Sequence, residues 1–113
     1  MEFRLANNND IENIAKLENE CFKNPWTNEQ YSYEIKENEF SKTLVIENNN
    51  NIIGYLNYWI IFDQATINKI CVDKNYRNQG LASKLLNLAM EDIKNNQCII
   101  VTLEVRISNV NAI

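Results

Sequence analysis

The feature that most restricts the fold of this chain is a strand–loop–helix–strand pattern in its second half. Residues 65–73 predict a strand, and a polar loop follows at residues 74–79. A helical apolar period then runs through Leu81, Leu85, Leu88, Ala89 and Ile93. Residues 99–106 alternate in side-chain direction as a second strand does. Because such crossovers are right-handed and bring their two strands together in parallel, the pattern predicts an α/β domain.

Two helices are predicted in the first third of the chain. Asp10 is expected to cap the first helix, whose apolar positions are Ile11, Ile14, Leu17 and Cys21. Pro25 ends this helix because proline cannot continue an interior turn. Thr27 and Gln30 form a capping-box signature for a second helix that reaches about residue 38.

The remaining strands complete a mixed sheet. Strands at residues 43–47 and 52–61 flank an asparagine-rich turn, and a tight connection leads to strand 65–73, which predicts an antiparallel meander. With a short opening strand at residues 3–6, the element order is β-α-α-β-β-β-α-β. A length of 113 residues suits one domain, so the prediction is a single α/β domain (an α+β mixed sheet) spanning residues 1–113.

Composition excludes several kinds of chemistry and of partner. The chain has no histidine and two glycines, so it cannot form a Ser-His-Asp or Cys-His pair, a His-based zinc site, or a glycine-rich nucleotide loop. A net charge of −4 argues against nucleic acid as the main partner. The apolar runs are too short for a membrane span and the start is not a signal peptide, so we expect no membrane partner and a cytoplasmic location.

Charge and cysteine placement give two further expectations. Residues 1–47 carry ten acids and five bases, whereas residues 74–90 carry three bases and no acid. This distribution suits a cationic substrate and an anionic cofactor, and it is equally compatible with ordinary surface charge. The cysteines at 21, 71 and 98 have no C-x-x-C spacing and predict reduced, mostly buried thiols, with Cys71 inert.

The segment with the most chemical content runs from Ile70 to Ala82. A strand delivers the chain to a loop that opens a helix at Gly80, where small residues and unpaired N–H groups can form an anion site. Arg77 and Lys84 add positive charge, so a pyrophosphate is a suitable ligand. By spacing alone, one glycine before a helix is also explained by a purely structural turn.

The motif Arg77-x-x-Gly80-x-Ala82 resembles the coenzyme A motif, Q/R-x-x-G-x-G/A, of the GNAT N-acetyltransferase superfamily. Further segments are similar to its RimI branch, the ribosomal-protein alanine acetyltransferases. These segments are residues 24–27 (Asn-Pro-Trp-Thr), 103–106 (Leu-Glu-Val-Arg) and 108–109 (Ser-Asn). Several motifs in the family's order make the resemblance far more specific than any one of them.

The resemblance implies that acetyl-CoA lies between two parallel strands that splay apart, and it implies no metal. Backbone groups of Ile70, Cys71 and Val72 would bind the pantetheine arm. The pyrophosphate would lie on a cradle formed by Arg77, Asn78, Gln79, Gly80, Leu81, Ala82 and Ser83. Asn109 matches a further cofactor-contacting position.

The resemblance also implies a general base and an acceptor region. Glu104 would take the proton that an attacking amine must lose. From the strand pattern alone, Glu104 could equally form a solvated ion pair with Arg106. Trp26 would shape the acceptor site, or it would pack as a staple residue before the Thr27 cap.

The function implied is transfer of acetyl from acetyl-CoA to a protein N-terminal α-amine, in particular the alanine of a small-subunit ribosomal protein. Two alternatives stay open at this point. The chain could be a catalytically inactive remnant or acetyl-CoA-binding module, or it could be a GNAT enzyme that acts on a small amine or on lysine.

The sequence departs from the family after Asn109. In the family a helix bearing a thiolate-protonating tyrosine and two more strands follow, whereas this sequence ends at Ile113. The tyrosines present lie in other segments, at positions 31, 33, 55, 58 and 76. We therefore expect impaired catalysis and an exposed apolar edge on the last strand, through which the chain could dimerise.

Overall fold

The computed structural model describes residues 1–107, which form one five-stranded sheet in the order β1-β2-β3-β4-β5. The first four strands pair antiparallel, and β4 and β5 pair in parallel. The strands are β1 (Glu2–Leu5), β2 (Ser41–Asn48), β3 (Asn51–Ile61), β4 (Gln64–Val72) and β5 (Ile100–Ile107). The predicted mixed α/β fold, with its meander and its parallel final pair, is confirmed.

Helices cover both faces of the sheet. The helices are α1 (Ile11–Cys21), α2 (Asn28–Lys36) and α3 (Leu81–Asn95). The capping box predicted for α2 is present, with Gln30 N–H on the Thr27 hydroxyl and Thr27 N–H on the Gln30 side chain. This helix ends two residues earlier than predicted because Asn38 forms the turn into β2, where its carbonyl accepts the Ser41 N–H.

The sheet separates two apolar clusters. On one face α3 packs Leu85, Ala89 and Ile93 against strand residues such as Leu56 and Ile67. On the other face α1 and α2 pack Ile14, Leu17 and Tyr31 against Val45 and Tyr55. This face therefore lies under the two helices and the loop that joins them. None of the helices in residues 1–107 combines the length and apolar character needed to span a membrane.

The expected capping role of Asp10 is wrong. Asp10 stands at the N-cap of α1 but makes no capping hydrogen bond with its side chain. Its carboxylate instead accepts two hydrogen bonds from Arg4, at 2.7 and 3.0 Å, and one from the Asn7 N–H. A bidentate, charge-assisted pair is stronger than a bond to a single helix N–H, and Arg4 also bonds Glu47, so the cluster joins β1, β2 and α1.

We expect Asp10→Asn to lower the free energy of unfolding by about 1–3 kcal/mol at neutral pH, because it removes one partner of a buried charged pair. The hydrogen bonds from Arg4 hold the pKa of Asp10 below its ordinary value of 3.8. This contribution is complete above pH 3.8 and is lost as the pH falls through the lowered pKa. The difference between thermal melts of the two proteins should therefore stay constant from pH 7 to about pH 4 and narrow as the pH falls further, and a difference that does not narrow in acid would contradict the assignment.

The prediction of three reduced thiols is wrong for Cys21 and Cys71, which form a disulfide in the structure. The last residue of α1 lies over β4, which brings together two cysteines 50 positions apart, with Cα atoms separated by 6.9 Å. Spacing along the chain could not reveal this pairing. Cys98 is free and half-buried.

Candidate cofactor and acceptor site

The loop that follows β4 is built by its own polar groups. The Asp73 carboxylate accepts the Asn75 N–H at 2.9 Å and begins a short 3-10 turn, Lys74–Tyr76. Arg77 then donates from Nε to the Val72 carbonyl at 3.0 Å. The loop is thereby held against the end of β4, and it leads directly into α3.

Two residues with a left-handed backbone conformation set the direction in which α3 begins. Asn78 has φ 64° and Gly80 has φ 74°, a region in which residues other than glycine are strained. A Cβ on Gly80 would meet no atom within 4 Å, so glycine is favoured here by backbone conformation and not by crowding. Among residues 1–107, no side chain makes a capping hydrogen bond at the start of α3. The N–H groups of its first turn, at residues 81–83, therefore point out without intrahelical partners, as an anion site requires.

The structure brings together the residues predicted for the pyrophosphate cradle. Residues 78–80 and Ala82 and Ser83 are exposed, Arg77 is half-buried, and Leu81 is buried under the helix. Lys84 differs from expectation, because its ammonium lies 4.5 Å from the ring centre of Phe3 in β1, at the opposite edge of the sheet. The positive potential at the first turn of α3 therefore comes mainly from backbone N–H groups and Arg77.

The predicted pantetheine strand is the end of β4. Residues 70–72 pair with β3 on one side, and Ile70 also pairs with Ile107 of β5. Cys71 and Val72 extend past this last β4–β5 pair. Asn109 lies outside the described residues, so the structure does not bear on its predicted cofactor contact.

Glu104 lies at an irregularity between β4 and β5. Ile67 pairs with Leu103 and Lys69 pairs with Arg106, so two β5 residues, Glu104 and Val105, face one β4 residue. Such bulges re-aim side chains and occur often beside active sites. Glu104 is exposed, and alternation from Val101, which packs with α3, directs it to the face that carries α1 and α2. The Arg106 side chain lies outside the described residues, so the alternative ion pair is not tested.

A buried ionic network beside this bulge was not predicted from the sequence. Glu18 of α1 is fully buried and forms an ion pair with Lys69 of β4, whose side chain is 1% exposed. The Glu18 carboxylate also accepts the hydroxyls of Tyr31 and Tyr55. Burial raises the pKa of both phenols, and the Glu18 charge raises it further, so both stay protonated. In the sequence, the signal for this network was Glu18, a charged residue at a position of α1 where the helical period predicts an apolar one.

The same network holds the α1–α2 loop. The Trp26 N–H donates to the Glu18 carboxylate at 2.7 Å, and the Lys69 ammonium lies 4.4 Å from the centre of the Trp26 ring. Trp26 also packs on Tyr31 with ring centres 5.3 Å apart. Trp26 is therefore more than a helix staple, because it connects the loop to β4, the strand that pairs with β5 at the bulge.

Residues 11–113 match the model of the acetyltransferase (GNAT) family. This match covers α1 through β5, including the whole cradle at residues 77–83 and Glu104. The chain belongs to the GNAT family. The GNAT resemblance inferred from the motifs is thereby confirmed.

Relatives of this GNAT chain point to one branch. A protein of Bacillus subtilis (strain 168), provisionally named a ribosomal protein bS18-alanine N-acetyltransferase, is 36% identical over 100 residues. The match covers 88% of this chain and 66% of that protein, so the chain spans about two thirds of the length of this curated relative.

Solved structures agree with the GNAT fold. The crystal structure of the ribosomal-protein-S18-alanine N-acetyltransferase from Escherichia coli has a TM-score of 0.83 at 22% identity, covering 98% of this chain and 70% of that one. The structure of AAC(6')-Iy in complex with a CoA-containing bisubstrate analogue has a TM-score of 0.77 at 16% identity, covering 97% of this chain and 81% of that one. At these identities the likeness concerns the fold alone.

Proposed function

We propose that this chain transfers the acetyl group of acetyl-CoA to the N-terminal α-amine of a protein, in particular the alanine that begins a small-subunit ribosomal protein. The observation that carries the proposal is the uncapped first turn of α3, which lies at the end of β4 behind two left-handed residues. The names of the similar proteins support the choice of acceptor.

The residues present fit acetyl-CoA. The N–H groups of Leu81, Ala82 and Ser83, with Arg77 beside them, would hold the pyrophosphate. The small, exposed side chains of Ala82 and Ser83 leave this turn open to a ligand. Cys71 and Val72 would offer backbone groups to the pantetheine arm as an added strand, and Asn109 is proposed as a further contact.

Glu104 is proposed as the general base. The acceptor arrives as an ammonium, and Glu104 would take its proton directly or through one water. The neutral nitrogen would then form a bond to the thioester carbonyl carbon, and the carbon–sulfur bond would break with its electron pair going to sulfur. The second proton of the amine would pass from the new amide nitrogen to the departing thiolate, directly or through water, so that coenzyme A leaves as the thiol. The position of Glu104 supports this role, because alternation along β5 directs its side chain toward the face under the α1–α2 loop, and bulges of this kind are frequent beside active sites.

The proposal includes two partners, which are a basic acceptor protein and a second copy of this chain. The excess of acids in residues 1–47 favours a basic acceptor protein. Leu103 on β5 is 62% exposed, and Ile99 just before β5 is 76% exposed. These exposed apolar side chains favour association of two copies at this edge of the sheet. The cytoplasmic location stays a prediction.

A charge placed in the first turn of α3 tests the cofactor site. We expect Ala82→Glu to weaken acetyl-CoA binding at least tenfold in calorimetric titration, because the new carboxylate competes with the pyrophosphate for the same N–H groups. An acidic residue in a first turn also stabilises the helix, so the melting temperature should stay the same or rise.

The matched control is Asn87→Glu, which adds the same charge to an exposed position of α3 beyond its first turn. Equal weakening by both variants would point to a general charge effect and would contradict the cradle. Acetylation of alanine-starting peptides, followed by mass spectrometry, tests the transfer itself. A folded wild-type chain that ignores acetyl-CoA would overturn the proposed function.

A further inference from the structure

A pocket of about 420 Å³ lies between α2 and β3, apart from the cofactor cradle. Its lining combines three aromatic side chains, two acidic ones and one amide: Trp26, Tyr33, Trp59, Glu29, Glu34 and Gln30. Among these lining residues there is no base. Aromatic faces together with carboxylates are the usual surroundings of a bound organic cation.

The Glu34 carboxylate, which lines this pocket, is held in place by hydrogen bonds. Glu34 is 7% exposed, and one of its oxygens accepts the Trp59 indole N–H at 2.6 Å and the Ser41 hydroxyl at 2.7 Å. Its other oxygen accepts the Asn38 amide at 3.2 Å. Every one of these donors is neutral, so the negative charge of Glu34 has no cation among them.

The surroundings of the pocket are compatible with a cation. The Trp26 ring takes part in a cation–π contact with Lys69, and the charge of that ammonium is offset by Glu18 and so adds little repulsion toward a second cation. At the N-terminus of α2 the Thr27–Gln30 capping box engages the N–H groups of Thr27 and Gln30. Glu29 adds a second, exposed carboxylate at the rim.

The register of the sheet relates this pocket to Glu104. Trp59 pairs with Thr66 of β4, and Thr66 pairs with Thr102 of β5, two residues before Glu104 on the same face. Two strand spacings and two residues of rise put the Cα atoms of Trp59 and Glu104 roughly 12 Å apart. An extended peptide covers that span in about three or four residues.

We propose that this pocket binds a lysine or arginine side chain of the acceptor protein, within roughly the second to fourth residue after the acetylated amine. This inference rests on the proposed function for its connection to Glu104. The cation-binding property of the pocket is independent of catalysis and is tested separately.

The chain supplies its own probe, because its two tryptophans, Trp26 and Trp59, both line the pocket. Tetrapeptide amides that begin with alanine and carry one arginine at position 2, 3 or 4 are titrated against the wild-type chain by tryptophan fluorescence, without acetyl-CoA. Matched peptides carry citrulline, a neutral isostere of arginine. We expect one arginine peptide to bind about fivefold more tightly than its citrulline partner.

Glu29→Gln should weaken binding of the arginine peptide about threefold and leave binding of the citrulline peptide unchanged. Glu37→Gln is the matched control, since it makes the same change at an exposed acid of α2's C-cap outside the pocket. Equal affinity for arginine and citrulline peptides, or equal weakening by both variants, would overturn the proposal.

Mass spectrometry of the same peptides with acetyl-CoA separates the two proposals. Acetylation that favours the arginine peptide supports both. Acetylation with no preference for arginine overturns the pocket assignment and leaves the proposed function standing. Selective binding of the arginine peptide without acetylation supports the pocket as a cation site and overturns the proposed function.

Discussion

Replacing Lys69 with methionine is expected to lower the free energy of unfolding by roughly 3–5 kcal/mol, a larger loss than we expect from Asp10→Asn. The substitution keeps most of the volume of the side chain but leaves the Glu18 carboxylate without its cation. Because Glu18 is fully buried, water cannot replace the lost partner. Urea unfolding followed by far-ultraviolet circular dichroism measures the change.

A double variant distinguishes the loss of a charge from the loss of packing. Glu18→Gln combined with Lys69→Met removes both charges, so it should recover a large part of the stability lost in Lys69→Met alone. Lys16→Met is the matched control, because Lys16 is an exposed lysine on α1 and its loss should cost less than about 0.5 kcal/mol. A single variant as stable as the wild type would show that the ion pair contributes nothing.

The network also predicts a functional consequence of its loss. The Glu18 carboxylate holds the Trp26 N–H, so disturbing it should loosen the α1–α2 loop against β4. In the double variant we therefore expect weaker acceptor-peptide binding, with acetyl-CoA affinity unchanged because the cradle at residues 77–83 is built by the β4–α3 loop.

Glu104→Gln is expected to lower the rate of acetyl transfer by about 10²- to 10⁴-fold, because glutamine keeps the shape of the side chain but cannot take a proton. Glu104 is exposed, so the melting temperature and the acetyl-CoA dissociation constant should stay unchanged. The measurements are peptide acetylation by mass spectrometry and calorimetric titration of acetyl-CoA.

Glu91→Gln, a change of the same kind at an exposed position of α3, is the control for the loss of one negative charge. A Glu104→Gln variant with wild-type rates would exclude Glu104 as the base. A wild-type chain that binds acetyl-CoA and acetylates no acceptor would favour the alternative of a cofactor-binding module without activity.

The sequence by itself determined the elements whose signals are local. The Thr27–Gln30 capping box, the apolar period of α3 and the strand–loop–helix–strand crossover depend on residues a few positions apart, and each is present in the structure. The loop between β4 and α3 was equally predictable, because a strand end, a loop and a helix start are consecutive in the chain. Its role as a pyrophosphate cradle stays a prediction. The motif Arg77-x-x-Gly80-x-Ala82, one of those that carry the family resemblance, lies in this segment.

Only the tertiary structure decided the contacts between distant residues. Arg4 bonds Glu47 across 43 positions, Cys21 pairs with Cys71 across 50, and Glu18 forms an ion pair with Lys69 across 51. Trp59 joins Trp26 in one pocket because α2 packs over β3. Each of these side chains has an ordinary local preference, which a long-range partner overrides because a buried polar group is stable only with its partner in place.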